Sequence, residues 1–152
     1  MSTEKKSSPL SIEGIQSMWS ADSKMNQDEL DTESLRIPQL HAKYYELYNT
    51  ILLMRKRDEQ VYSSMLLDRR KYYTGKATAQ VYAEEPFPYK VREKDAIRRH
   101  LDADDKMNKI DMKIKYYDVM LKFLEEIIRA VSNRTYQIKN AIEWNKFQAG
   151  FG

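Results

Sequence analysis

Residues Leu66 to Lys76 read Leu-Leu-Asp-Arg-Arg-Lys-Tyr-Tyr-Thr-Gly-Lys, which places Arg69, Arg70, Lys71 and Lys76 beside the paired rings of Tyr72 and Tyr73. Cations neutralise phosphate and a tyrosine face accepts a stacked base, so the run has the chemistry to hold single-stranded nucleic acid. It also obeys the rules for ending a helix, since cations favour the last turn and glycine the stop beyond it. Taken alone, the run allows either reading.

Upstream, His41, Tyr48, Arg55, Tyr62 and Arg69 recur every seven residues and fall on one stripe of a helix, with Tyr73 on the same line and Lys56, Arg70 and Lys71 beside it. A strand laid along that stripe would meet alternating rings and cations, which makes Arg55, Lys56, Tyr62, Arg69, Arg70, Lys71, Tyr73 and Lys76 the candidate nucleic-acid-binding residues. The competing reading is that these positions flank a hydrophobic seam, with rings covering its edge and charges pairing across helices. Tyr72 and Leu67 fall to packing.

The elements that must carry these residues are helical. Four glycines and four prolines in 152 residues argue against a turn-rich sheet protein. Ser11 can cap a short helix to Asp22, with Ile12, Ile15, Met18 and Trp19 on one face, and a second is expected from about Asp28 to Arg36. With Pro38 in a first turn, the apolar series Leu40, Tyr44, Leu47, Ile51, Met54, Val61 and Met65 predicts a helix to Thr74, weakened where Asp58 and Asp68 interrupt the seam. Gly75 ends it, residues 77–88 form a loop around Pro86 and Pro88, and Tyr89 to Leu101 forms a short basic helix. Asp102 or Asp104 then caps a last long helix, whose seam runs Met107, Ile110, Ile114, Tyr117, Leu121, Leu124, Ile128, Val131, Thr135, Ile138 and Ile142. Asn133 and Arg134 are the positions where it could bend.

So sustained a seam points to coiled-coil or bundle packing and to self-association, with Tyr117, Leu121, Leu124, Ile128, Val131, Ile138 and Ile142 as the oligomerisation residues. The expected fold is all-α, long helices packed as a hairpin or bundle. A polar tail, residues 1–10, precedes a single domain over 11–152, with DNA-binding helices in 11–76 and assembly helices in 89–150.

Charge is segregated along the chain. Ala21 to Ser34 holds five acids and one lysine, a net of −4, whereas Arg55 to Lys76 holds seven bases and three acids, a net of +4. Without cysteine there is no disulfide, thiolate metal site or cysteine nucleophile, which fits a reducing, intracellular setting. The longest aliphatic run, Ile51 to Met54, is far too short to span a bilayer, and narrow seams carrying acids disfavour a membrane-surface helix. Glycines at 14, 75, 150 and 152 build no phosphate loop. The cluster Asp102, Asp104, Asp105 and Asp111 lacks the glycine turn and glutamate of a calcium loop and reads as helix capping. His41 and His100 sit on different elements with no partner motif, so no catalytic residue, metal or cofactor is expected.

In its ordered motifs the chain resembles the UvsY recombination mediator proteins of T-even-like bacteriophages. Their basic motif has Leu-Lys-Ala-Arg followed, two residues on, by Tyr-Tyr-Ser-Gly; here Arg69, Tyr72, Tyr73 and Gly75 match it. The opening Ile12-Glu13-Gly14-Ile15-Gln16 is similar to the family's Leu-Glu-Asp-Leu-Gln, and Phe147-Gln148-Ala149-Gly150 to its Phe-Glu-Ala-Gly ending. Leu101, Ala103, Asp104 and Ala141 also fit, so the likeness runs from Ile12 to Gly150, with an expanded loop at 76–88. One departure is Leu67, which stands where the family has a DNA-binding lysine; Arg70 and Lys71 are cations where the family has none. The resemblance implies a ring-like homo-oligomer that binds single-stranded DNA and helps load a RecA-like phage recombinase onto DNA covered by the phage single-stranded DNA-binding protein. It also implies a place in the cytoplasm of the infected host and assembly through the C-terminal helix. A coiled-coil scaffold without DNA affinity is the alternative.

Overall fold

The computed structural model describes residues 10–150, so the expected tail, residues 1–10, lies outside the described residues except for Leu10. All regular structure among them is helical: α1 (Ile12–Asp22), α2 (Leu30–Tyr73), α3 (Ala79–Glu84), α4 (Lys94–Asp102) and α5 (Asp105–Gln148). Ser11 caps α1 as expected, its hydroxyl oxygen accepting from the Gly14 N–H at 3.0 Å.

Three boundaries differ from the sequence reading. First, α2 begins at Leu30 and runs through Pro38 without a break. A proline inside a helix removes one hydrogen bond, to the carbonyl four residues back. Pro38 and Ser34 are both exposed, so that carbonyl can be hydrated from solvent. Second, residues 77–88 contain α3, a helix of only six residues. Third, Tyr89 to Glu93 stays outside α4, because Pro88 leads into a segment whose Val91 N–H donates to the Tyr73 carbonyl at 2.9 Å, capping the end of α2. α5 continues through Asn133 and Arg134.

The end of α2 is a Schellman turn. The Lys76 N–H donates to the Lys71 carbonyl at 2.8 Å and the Gly75 N–H to the Tyr72 carbonyl at 3.4 Å. Gly75 has φ +77°, and a Cβ there would stand 2.8 Å from Lys90 Cγ, so both conformation and space call for glycine.

The chain divides into two compact units, Met1–Leu52 with Val119–Gly152, and Leu53–Asp118, so α2 and α5 each contribute to both. In the first, Ile15, Leu40, Tyr44 and Ile51 are buried together with Met120, Leu121, Leu124, Ile127, Val131 and Ile138. This corrects the assembly reading. Tyr117, Leu121, Leu124, Val131 and Ile138 are buried within the chain's own units, and Ile128 is half-buried, because the seam is consumed by intrachain packing. Of the expected oligomerisation residues only Ile142 is exposed, together with Tyr136, Trp144 and Phe147 near the end of α5.

Two acids of the acidic stretch, Asp22 and Glu33, are engaged internally, whereas Asp28, Glu29 and Asp31 are exposed. Asp22 accepts from Lys43 Nζ at 2.6 Å and from the Tyr44 hydroxyl at 2.8 Å, and burial followed by the Asp22 hydrogen bond pushes that phenol above its ordinary range. Buried Arg134 donates to the Asp22 carbonyl, lies 4.0 Å from Glu33 Oε2 and packs over the Trp19 ring. The second unit buries Tyr72, Tyr73, Ile97, Met107 and Tyr117, a polar centre of Arg69 and Asp104, and Asp58, which pairs with Lys113.

Candidate nucleic-acid interface

Asp104 organises this unit's polar centre. As the residue before α5 it accepts the Met107 N–H at 2.9 Å, the cap expected of that acidic cluster. Its other oxygen accepts from Arg69 Nε at 2.7 Å and from the Tyr73 hydroxyl at 2.5 Å. Burial raises its pKa, but the hydrogen bonds from Tyr73, the Met107 N–H and Arg69 together hold the carboxyl below its ordinary value. The outer edge of the Arg69 guanidinium is taken by Glu85, at 3.0 Å from Nη1 and 3.1 Å from Nη2, a bidentate fork. Burial lowers the Arg69 pKa, yet Glu85, Tyr73 and Asp104 more than offset it, so the guanidinium is held in its charged form.

The rings close around this pair. Arg69 lies 4.2 Å over the Tyr72 ring, and Tyr82 stacks on Tyr72 at 5.5 Å and 20°. Phe87 contacts Tyr72 and Tyr73, each with centroids 5.3 Å apart, and His100 stacks on Tyr73 at 5.1 Å.

Arg69 and Tyr73, expected to face a strand, are therefore inside, at 7% and 8% exposure. The sequence gives no sign that two carboxylates, Glu85 and Asp104, arrive from elsewhere to satisfy that guanidinium. Tyr72 is buried, as expected. Arg55 is also spoken for: it pairs with Asp118 and Glu59, and Tyr48 donates to Glu125. Over this part of the stripe the flanking reading holds, with side chains pairing across helices.

Exposed cations remain at Lys56, Arg70, Lys71 and Lys76, none of which forms an ion pair with a described residue. Lys71 and Lys76 join Arg69 and Lys106 along a groove of about 460 Å³, with Tyr72 and Val81 in its wall and Asp68 its one acid. Arg70 and half-buried Tyr62 line another, of about 340 Å³, with Lys94 and Arg98 opposed by Asp95 and Asp102. Successive helical residues sit about 100° apart, which is why Arg70 and Lys71 reach different grooves. Sequence reasoning missed Lys106, Lys94 and Arg98 as parts of these grooves and Glu85 as the partner of Arg69 and Lys106; no linear spacing links them to α2.

The fold and groove define an all-helical protein with a cation-rich, ring-walled surface of the kind that holds a nucleic-acid backbone. A family profile described as "Recombination, repair and ssDNA binding protein UvsY" matches residues 18–151, and the chain belongs to that family. It is 23% identical over 139 residues to the recombination protein uvsY of Enterobacteria phage T4, covering 91% of this chain and 98% of that one. Two crystal structures of the bacteriophage T4 recombination mediator protein UvsY share the fold. One has TM-score 0.79 at 22% identity, covering 88% of this chain and 98% of the other; the second has TM-score 0.77 at 21%, covering 90% and 98%. No described helix is long and apolar enough to cross a membrane.

Proposed function

We propose that this protein is a recombination mediator: it holds single-stranded DNA in the groove of Arg69, Lys71, Lys76 and Lys106, and helps a RecA-like recombinase replace the single-stranded DNA-binding protein covering that strand. The observation that carries the reading is the groove itself, where exposed Lys71 and Lys76, which form no ion pair with a described residue, stand beside the Tyr72 ring and the paired cations Arg69 and Lys106. Arg70, with Lys94 and Arg98, extends the basic surface, and Arg69 acts from inside, as a charge held in place by Asp104. The setting is phage recombination and repair in the cytoplasm of the infected host.

A groove with so few cations binds weakly by itself. Ring-like assembly of several copies supplies avidity by letting several grooves engage one strand. Exposed Ile142, Trp144 and Phe147, with Trp144 stacked on Phe147 at 5.7 Å, support the end of α5 as the contact with a second copy.

The test is recombinase filament growth on DNA precoated with the single-stranded DNA-binding protein. Adding this protein should shorten the lag before filaments form. An unchanged lag contradicts mediation, and absence of any oligonucleotide binding leaves a helical scaffold.

A further inference from the structure

Among the described residues, Glu85 is the one anion that meets both Arg69 and Lys106. Its carboxylate forks onto the outer edge of Arg69 and also accepts from Lys106 Nζ at 3.3 Å, so one anion is shared by two of the groove's four cations. Beside it Tyr82 stacks on Tyr72 as a base would, with planes 20° apart, and its hydroxyl donates to the Tyr72 carbonyl at 2.7 Å. Backbone charge and base face are both matched by one short segment of the chain.

The two acids on Arg69 differ in how firmly they are fixed. Asp104, with 2% side-chain exposure, caps α5 and holds Nε, so Arg69 keeps its orientation whatever happens at its outer edge. Glu85, with 42% side-chain exposure, sits at the end of a six-residue helix whose Thr78 makes no side-chain cap, directly before Pro86. Helices this short have little stability of their own. Tyr72, at 3% exposure, cannot offer its face to a base while Tyr82 and Phe87 cover it.

We propose that residues 76–88 form an intramolecular gate, in which Glu85 stands in for a backbone phosphate and Tyr82 for a base, and which single-stranded DNA displaces to reach Arg69, Lys106 and Tyr72. The proposal rests on the function given above and adds a competitor to it. Binding then couples to the opening of the segment, and whatever loosens the segment raises affinity.

The tests are Glu85→Gln in the full chain, titrated with a fluorescent oligothymidylate, and hydrogen exchange of residues 79–85 in the wild type with and without that oligonucleotide. Gln keeps the size and removes the charge, so affinity should rise roughly two- to fivefold, the scale of one partly exposed ion pair. Amides of 79–85 should lose protection when DNA binds. If the wild type binds DNA while Glu85→Gln binds equally or more weakly and 79–85 keeps its protection, the gate is overturned and the proposed function stands. If neither protein binds, the proposed function fails and takes the gate with it.

Discussion

Replacing Asp104 by Asn removes one negative charge from the interior of the Leu53–Asp118 unit while keeping the side chain's size. The Asn oxygen can still accept the Met107 N–H, now 2.9 Å away, so the α5 cap survives. The amide nitrogen, however, would face two donors, Arg69 Nε and the Tyr73 hydroxyl, now at 2.7 and 2.5 Å. Breaking a buried ion pair by removing one partner costs about 3–5 kcal/mol when the remaining charge is stranded. Arg69 keeps its two bonds to Glu85 and is not fully stranded, so we predict a smaller loss than that, about 2–3 kcal/mol. With a urea dependence of about 1–3 kcal/mol per molar, the unfolding midpoint should fall by about 1–2 M. Asp104→Ala should lose about 1 kcal/mol more, for the cap. Circular dichroism at one fixed protein concentration reads this out, since self-association would otherwise shift the midpoint. A midpoint for Asp104→Asn that matches the wild type would mean that the Arg69–Asp104 pair does not stabilise this unit.

Two further predictions concern the seam and acid. Leu124→Asp buries a carboxylate at a position with no solvent exposure and should unfold the protein by circular dichroism, whereas the exposed pair change Trp144→Ala with Phe147→Ala should keep helicity and lower the mass seen by light scattering. An intact fold in Leu124→Asp would contradict the burial of the seam. For acid, Arg69 and then Lys106 hold Glu85 below its ordinary 4.5, and Asp104 sits below 3.8 once its hydrogen bonds outweigh burial. Groups depressed in the folded state contribute stability that is complete above their unfolded values and is lost as pH falls through the folded ones. The melting temperature should therefore be flat above about pH 5 and fall below it, and Asp104→Asn should show a shallower acid fall. An equally steep fall in that variant would exclude Asp104 as a source.

Helix content was legible because 3.6-residue periodicity and capping act locally. Ser11, Gly75 and Asp104 each announce a helix end by residue type, and the structure uses all three that way. Pro38 misled because its cost depends on which side of the helix faces water. The site was harder to read, since periodicity says which residues share a face but not what meets that face. Arg55 and Arg69 carry the right chemistry for DNA, yet Asp118 comes from α5, Asp104 from its cap and Glu85 from the segment after Gly75. The seam of α5 was legible as a seam. Its partner was not, because packing within the chain and packing between copies demand the same spacing.

The salt dependence of binding decides whether the groove of Arg69, Lys71, Lys76 and Lys106 holds a DNA strand. The anisotropy of a labelled oligothymidylate gives the affinity at several salt concentrations, for the wild type and for Lys71→Ala with Lys76→Ala. Both lysines are exposed and form no ion pair with a described residue, so their removal should leave fold and assembly unchanged. Each phosphate contact on a single strand contributes about 0.7 to the slope of log affinity against log salt, so the double variant should bind more weakly with a slope smaller by about 1.4. Wild-type affinity and slope in that variant, at wild-type assembly mass, would contradict the assignment of the groove.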